Sequence, residues 1–374
     1  MVLSGAATAP GQNSDGYWSK GGSGSWANAG NWDGGTIADG TDNSAYFGFS
    51  LEPGIPTNAT FTLDGARIIG NVYFFPTNNS ITWLLSAGSG GPLTLDNDID
   101  YPGVTVNLAN QQVTISVALA GVTGLEKLGS GTLILTATNT YTGGTIVSGG
   151  TLLVNGAITD TGVVTNLSGT LGGAGMIAGP VVVQAGAALA PGSSGIGALT
   201  ISNALTLQAG SKTLMEVNAT TSAHDTVQSL STASYGGTLV VSNLAGTPSS
   251  GQSFQLFSAA GASGNFSSLT PQLSGGLRWR FDPASGMLSV VSTASQPQIA
   301  GVYRSGSNLV LQVVNGAPGV TNYVLSSTNL ALPLANWTRL ATNVFDVGGN
   351  AGFTNAIAPG TLERFYSIGV NQPP

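Results

Sequence analysis

Charged side chains are scarce in this sequence of 374 residues. Only 7% of the residues are Asp, Glu, Lys or Arg, where globular proteins carry roughly 25%. The nine Lys and Arg residues form no cluster, and the net charge is −7. Because nucleic acids and anionic membranes attract basic patches, we expect neither as a partner.

Cysteine is absent, which excludes disulfides and thiolate metal sites. No uninterrupted apolar run has the length of a membrane span, so no transmembrane segment is expected. The opening MVLSGAATAPGQ lacks a basic start and a long apolar run, and we therefore expect this chain not to include a signal peptide.

Glycine and β-branched residues are abundant instead. The chain has 56 Gly, and 41% of its residues are hydrophobic, which is enough to bury a core. With much Val, Thr, Ser and Asn and little Lys or Glu, the composition favours short strands joined by tight turns over helices. The predicted fold class is all-β.

A short motif repeats at a fixed distance. Gly-Thr-Leu begins at Gly131, Gly150 and Gly169, in two steps of 19 residues, and again at Gly237. A period near 20 is typical of one turn of a parallel β-helix, in which each coil adds a strand to each stacked sheet. The prediction is that Thr132, Thr151 and Thr170 lie in register on adjacent coils.

Alternation within the repeat predicts which side chains point into the coil. We expect Leu133, Leu152 and Ile146 to point inward. Between the strands, Tyr141 lies in an Asn-Thr-Tyr-Thr-Gly-Gly-Thr turn, and we interpret it as a corner residue and not as a site residue.

Changes of texture along the chain predict four segments. The predicted boundaries are a Trp-rich cap with the first coils over 1–65, a β-helix over 66–293 with its core repeat at 128–156, a linker over 294–298, and a small C-terminal β-sandwich over 299–374.

The residues Gly129–Leu133, Asn139–Thr145 and Gly150–Leu152 together resemble the autotransporter-associated β-strand repeat of bacterial passenger domains. The Trp-rich opening GSWANAGNW is similar to segments of large repeat proteins of the Verrucomicrobia and Planctomycetes kind. The ending, from YVLSSTNL to ERFYSIGV, is similar to a small β module of secreted Verrucomicrobia proteins. The resemblance implies a right-handed parallel β-helix outside the cell, associated with adhesion and surface display and not with catalysis.

The candidate catalytic residues are few. His224 is the single histidine, and Asp225 follows it, but nothing nearby completes a nucleophile motif. We interpret the Asp as a turn residue and predict no catalytic and no cofactor-binding residue. Two carboxylates from distant coils that meet in a glycosidase-like pair remain an open alternative.

A candidate metal site lies in LDNDIDYPG. On a strand, Asp96, Asp98 and Asp100 would present three carboxylates on one face, an arrangement that suits Ca²⁺. The glycine and distal Glu of a calcium loop are missing. We therefore favour a solvated outer face, with Leu95 and Ile99 turned inward, and predict no metal ligand.

The six tryptophans have two interpretations, sugar-stacking platforms or packed core, and core packing is favoured. The predicted function is a non-catalytic extracellular structural or adhesive protein, a β-helix rod in surface display, a surface layer or a self-assembled fibre. The predicted partners are further copies of the chain, stacked end to end, or an extracellular polysaccharide. The alternative is a secreted β-helix protein that binds or cleaves glycans.

Overall fold

The computed structural model describes residues 14–48, 58–76, 81–293, 297–357 and 364–370. The chain divides into two compact units, one within residues 1–272 and 279–291 and the other within 273–278 and 292–374. Over the described ranges there is no α-helix, and the only helical turns are short 3₁₀ segments. Of the predicted linker 294–298, residues 294–296 lie outside the described residues, as do 1–13 and 49–57 of the predicted N-terminal segment.

The first coils of the first unit contain ten strands. In chain order they are β1 Gly16–Trp18, β2 Gly24–Ser25, β3 Gly40–Phe47, β4 Asn58–Leu63, β5 Arg67–Phe74, β6 Thr82–Ala87, β7 Leu93–Leu95, β8 Gly103–Val106, β9 Gln112–Ile115 and β10 Leu119–Gly121.

The middle coils are built from shorter strands of two to four residues. They are β11 Leu125–Leu128, β12 Thr132–Leu135, β13 Thr138–Asn139, β14 Thr145–Val147, β15 Thr151–Val154, β16 Ala157–Ile158, β17 Val164–Asn166, β18 Thr170–Gly173, β19 Met176–Ile177, β20 Val181–Val183, β21 Ala188–Pro191, β22 Ala198–Ile201 and β23 Leu205–Leu207.

Longer strands return in the last coils. They are β24 Lys212–Val217, β25 Thr226–Tyr235, β26 Thr238–Asn243, β27 Ser253–Gln255, β28 Phe257–Gly264, β29 Ser268–Thr270, β30 Leu277–Asp282 and β31 Met287–Ser292.

Two long sheets stack these strands in parallel. One has eleven strands, in the order β2, β4, β6, β9, β12, β15, β18, β21, β24, β26 and β29, and we call it the eleven-strand sheet. Thr132 pairs with Thr151 and Thr151 with Thr170, which confirms the predicted register. The first unit is a parallel β-helix.

The column that begins at Thr132 continues with unequal steps. Thr170 pairs with Ala188, Ala188 with Lys212, and Lys212 with Thr238. The fourth Gly-Thr-Leu motif therefore falls in the same column as the first three. Extra residues in the intervening coils are taken up in the turns, which leaves the stacking of the strands intact.

The second long sheet has seventeen strands. Here β5 pairs with β7 through Arg67–Ile69 and with β8 through Val72–Phe74, and β25 pairs in the same way with both β22 and β23. Each middle coil thus contributes two short strands separated by a bend, whereas single long strands span both positions near the two ends.

The interior of the coils is apolar. Leu133 and Leu152 are fully buried, as the alternation predicts. The prediction for Ile146 is wrong, because Ile146 is only half-buried and its neighbours Thr145 and Val147 point inward. Thr145 is accommodated there because its hydroxyl is hydrogen-bonded within the core to Tyr141.

The Trp-rich segment forms the first described coil. Its strand β1 pairs with β3 and β2 pairs with β4, all in parallel, and Trp18, Trp26 and Trp32 are buried inside. The indole N–H of Trp26 donates to the Ala38 carbonyl at 3.0 Å. The indoles thus fill the end of the core from within a coil of the solenoid.

At the other end, the last coils meet a small antiparallel sheet of β27, β31 and β30. A second aromatic cluster forms there, in which Tyr235, Phe257, Phe266 and Phe281 pack with ring centroids 4.9–6.1 Å apart. Both ends of the apolar core therefore carry aromatic rings.

The second unit is a small β-sandwich. Its strands are β32 Gln298–Ser305, β33 Asn308–Val314, β34 Thr321–Ser327, β35 Thr338–Val344, β36 Ala351–Ala356 and β37 Phe365–Val370. They form two antiparallel sheets of three strands, β32-β33-β36 and β35-β34-β37. Leu311 and Phe353 from one sheet pack against Val324 from the other, so the two sheets share one core.

Candidate functional site

His224 and Asp225 do not form an acid–base pair. The His224 side chain is exposed, with Nδ1 2.7 Å from the Ser222 carbonyl oxygen. The Asp225 side chain is buried and accepts backbone N–H groups with both oxygens, from Gly197 at 2.8 Å and from Glu216 at 2.7 Å. Asp225 therefore fixes the backbone of two neighbouring coils, which agrees with its interpretation as a turn residue.

Burial raises the pKa of the Asp225 carboxyl to about 6, although the two backbone N–H groups that it accepts lower it. The nearby Glu216 carboxyl raises it further. A carboxylate without a compensating cation is disfavoured in an apolar surrounding, which accounts for the direction of the shift.

The predicted strand through Asp96, Asp98 and Asp100 is wrong, because β7 ends at Leu95 and the aspartates lie in a turn. Asp96 accepts a hydrogen bond from the Thr41 hydroxyl at 2.8 Å. Ile99 is 92% exposed, so its predicted inward orientation is also wrong. Over the described ranges, no group of three or more acidic or His side chains has the spacing of metal ligands.

The tryptophans are core residues. All six are buried, and the most exposed, Trp337, retains 8% of its surface. None presents a ring face to a sugar. Tyr141 is fully buried at the corner between β13 and β14, where its hydroxyl lies 2.7 Å from that of Thr145, and burial raises its pKa. Its interpretation as a corner residue agrees with this position.

The largest concavity among the described residues lies on the outer face of the eleven-strand sheet. It has a volume of about 580 Å³, and we call it the outer groove. Its lining residues are Gln112, Thr132, Thr151, Leu153, Thr170, Ala190, Pro191, Gly192, Ser193, Ser194, Gly195, Leu214, Met215, Glu216, Asp225, Val240 and Ser242.

The outer groove exists because small residues interrupt a column of larger ones. Leu153 pairs with Gly172 and Gly172 with Ala190, so two successive coils place little bulk on the outer face. On the far side Leu214 and Val240 resume the column as direct partners. A Cβ atom at Gly172 would collide with the Ala190 carbonyl oxygen, so only glycine fits there.

The floor of the outer groove is aliphatic and its edges are polar. The hydroxyl-bearing column of Thr132, Thr151 and Thr170 runs along one side, and all three residues are half-buried. The exposed Ser193 and Ser194 stand at the other side on the turn after β21. Hydroxyl groups both donate and accept hydrogen bonds, so these edges suit a ligand rich in hydroxyls.

The charge of the outer groove is negative. No Lys or Arg is among its lining residues, which include the carboxylates of Glu216 and Asp225. The Oε2 atom of Glu216 is buried and accepts no hydrogen bond from any residue that the structure describes. A buried acceptor without a donor is unfavourable, so a donor supplied from outside would be stabilised there.

Sequence reasoning missed the outer groove. The repeated Gly-Thr-Leu motif gave the Thr column, but the depression depends on Gly172 and Ala190 lying side by side. These residues are 18 positions apart, one residue short of the 19-residue period. An alignment of the coils by register, rather than by a fixed period, would have shown two small residues in the outward column.

Comparison with known proteins gives two similarities. Residues 125–154 match the profile of the passenger-associated-transport-repeat family, which overlaps the predicted core repeat at 128–156. The chain is also 35% identical over 160 residues to the BmaC autotransporter adhesin of Brucella suis biovar 1 (strain 1330). That alignment covers 39% of this chain and 4% of the adhesin. The similarities support a passenger-type repeat protein.

Proposed function

We propose that this chain belongs to an extracellular, non-catalytic protein with a structural or adhesive role at a bacterial cell surface. The observation that carries the proposal is the match at residues 125–154, together with the coils stacked in register through those same residues. A parallel β-helix of this kind holds an outer surface in fixed register over many coils, which suits display of contacts to a partner.

The non-catalytic role is supported by the arrangement of the candidate acid–base groups. Asp225 is committed to two backbone N–H groups and is buried. His224 is exposed, and its Nδ1 bonds the carbonyl of its own turn. General acid–base catalysis needs a group that reaches the substrate proton, and neither residue is placed to do so.

Localisation tests this proposal. Antibodies raised against the full chain are expected to label intact producing cells or the surrounding medium, and the surface label is expected to disappear after external protease treatment. Deletion of the protein is expected to reduce attachment of the cells to a surface. A protein found only inside intact cells contradicts the proposal.

Self-association into a fibre is a second part of the proposal. The eleven-strand sheet ends in β2 and β29, and edge strands of parallel sheets can accept another strand through their backbone groups. Sedimentation and electron microscopy of the full chain over a wide concentration range are expected to show oligomers that grow with concentration. Monomers at every concentration would contradict assembly and leave the extracellular role intact.

Polysaccharide binding is the alternative function, and the outer groove is the observation that favours it. Lyase and hydrolase activity belongs to the same alternative. An assay with neutral and acidic polysaccharides, with and without Ca²⁺, is expected to release no reducing ends or unsaturated products. Turnover that is lost in Glu216→Gln would replace the non-catalytic proposal with an enzymatic one.

A further inference from the structure

We propose that the outer groove binds one chain of an extended, uncharged polysaccharide that lies along the stacking direction of the coils. This inference rests on the proposed extracellular role and deepens it, because it names the class of ligand and the residues that hold it.

The length and direction of the outer groove support a linear polymer. Its lining residues come from seven consecutive strands of the eleven-strand sheet, from Gln112 on β9 to Val240 on β26. At about 4.8 Å between neighbouring strands, six steps span roughly 29 Å. A straight groove of that length accommodates several sugar rings in a row, whereas a compact small molecule would contact only part of it.

The position of the outer groove disfavours a peptide. Extended peptides usually bind by adding a strand to a sheet edge, where backbone groups are open. The outer groove lies on a sheet face, and the backbone of the strands beneath it is already paired on both sides, as for β15 with β12 and β18. A ligand there must use side-chain partners, and those are mainly hydroxyls.

The charge of the outer groove selects against acidic polysaccharides. Its only charged lining residues are Glu216 and Asp225, and no cation among the described lining residues would compensate a uronate or a sulfate. Two carboxylates near an anionic polymer repel it. A neutral sugar brings hydroxyl donors instead, and the unpartnered Oε2 of Glu216 can accept one.

The hydroxyl column sets the spacing of the contacts. Thr132, Thr151 and Thr170 repeat at the separation of adjacent strands, in register. The aliphatic floor from Leu153 to Leu214 lies beside them and matches the apolar C–H faces of pyranose rings. Both kinds of contact recur along the groove, so affinity is expected to rise with the length of the sugar chain.

Affinity electrophoresis of the full chain tests the proposal. The gels contain hydroxyethyl cellulose or galactomannan as neutral probes, polygalacturonate as an acidic probe, and chitosan as a cationic probe. Retardation by a neutral probe with no retardation by polygalacturonate is expected. The two neutral probes distinguish a plain glucan backbone from a substituted mannan. Stronger retardation by polygalacturonate or by chitosan would overturn the assignment of an uncharged ligand.

Three variants place the binding in the outer groove. Ala190→Phe fills the depression and is expected to abolish retardation. The double variant Thr151→Val and Thr170→Val removes two hydroxyls at nearly constant shape and is expected to weaken binding about tenfold. Glu216→Gln keeps the size of the side chain and is expected to weaken binding a few-fold.

Thr165→Phe is the matched control, because Thr165 is a half-buried outward residue on β17 of the other sheet and is absent from the groove lining. It is expected to bind as the wild type does. Thermal unfolding of each variant identifies any that fails to fold, and the Thr and Glu216 variants still test the site if Ala190→Phe does not fold. Wild-type binding in all three groove variants, or no binding of any neutral probe by a surface-located protein, would overturn this inference and leave the proposed function standing.

Discussion

The first coils and the middle coils of the β-helix continue the same two sheets with different interiors. In the first coils, Phe47 packs against the rings of Trp18, Trp26 and Trp32 with centroids 5.3–5.7 Å apart. In the middle coils the interior is aliphatic, as at Leu133 and Leu152. The strand pairing is parallel in both regions.

The two regions also differ in regularity. In the first coils the pairing of β3 with β5 slips between Gly40 and Ser44, whereas β12, β15 and β18 pair without any shift. Large rings fill coils of variable outline, and small aliphatic side chains require identical coils. The comparison teaches that a β-helix can obtain a packed interior either by repetition or by large, adaptable aromatic groups.

The largest expected effect tests the aromatic interior. Phe47→Ala removes the ring that contacts three indoles together with Phe61, whose centroid is 4.3 Å away. We expect a loss of about 4 kcal/mol in the free energy of unfolding, because a buried ring is replaced by a cavity. Tryptophan fluorescence and hydrogen exchange are the measurements.

In a solenoid each coil contacts only its neighbours, so faster exchange is expected in β4 and β5 and not in β15. Leu152→Ala is the matched change in the middle coils, where faster exchange is expected around β15. Equal exchange throughout the β-helix in both variants would show that the two regions unfold as one unit.

A buried ammonium distinguishes the middle coils. The fully buried Lys127 donates from Nζ to the carbonyl oxygens of Leu128, Gly129 and Gly149, at 2.9–3.1 Å. Lys127→Met leaves three carbonyl groups without this donor, and we expect a loss of about 2 kcal/mol at neutral pH in chemical denaturation. Lys212→Met is the control, because Lys212 is exposed, and it is expected to have little effect.

The same residue gives a pH dependence. Burial lowers the pKa of Lys127 from 10.5 to about 8. Between these values the unfolded chain binds a proton that the folded protein has released, so the free energy of unfolding of the wild type rises with pH over this range. The difference between wild type and Lys127→Met is therefore expected to grow from pH 8 to pH 10.5, and a constant difference would contradict the lowered pKa.

A buried pair of hydroxyls is the next smaller test of the middle coils. Tyr141→Phe removes the 2.7 Å hydrogen bond to Thr145 and keeps the ring. We expect a loss of about 1.5 kcal/mol, because Thr145 is left buried without that partner. Thr145→Val is expected to cost a similar amount, and the double variant little more than either single one. Additive losses would show that the two hydroxyls do not act together.

The smallest effect is expected on the outer face of the first coils. Tyr46 stacks between Tyr17 and Tyr73, at centroid distances of 4.5 and 4.9 Å with nearly parallel planes. Tyr46→Ala is expected to cost about 1 kcal/mol, because the side chain is only half-buried and stacked aromatic pairs contribute modestly. Tyr46→Phe keeps the stack and is expected to unfold at the temperature of the wild type.

The repeat made the middle coils predictable from sequence. Gly-Thr-Leu at a step of 19 residues placed Thr132, Thr151 and Thr170 correctly, because parallel stacking turns an equal step into register. The same reasoning failed at Asp96, where alternation of three aspartates suggested a strand. Their hydrogen bonds go to other coils instead, as from the Thr41 hydroxyl to Asp96, and a single coil's sequence carries no sign of such partners.

The candidate site was less predictable than the fold. The carboxylates that line the outer groove come from β24 and from the turn before β25, and neither Glu216 nor Asp225 stands in a recognisable motif. The depression itself comes from small residues on β18 and β21, where the step is 18 residues and the fixed period breaks down. Concavity on a sheet face depends on which outward residues become neighbours, and that follows only from the register.

The equal step between Thr132, Thr151 and Thr170 has a consequence for how such a chain can change over generations. Tandem duplication of a segment with that period inserts one more coil whose strands find the same partners above and below. The cross-section stays the same while the stack grows by one strand spacing. In the middle coils, length is thus a heritable quantity that changes in whole coils, whereas in the first coils a duplicated segment would meet neighbours of a different outline.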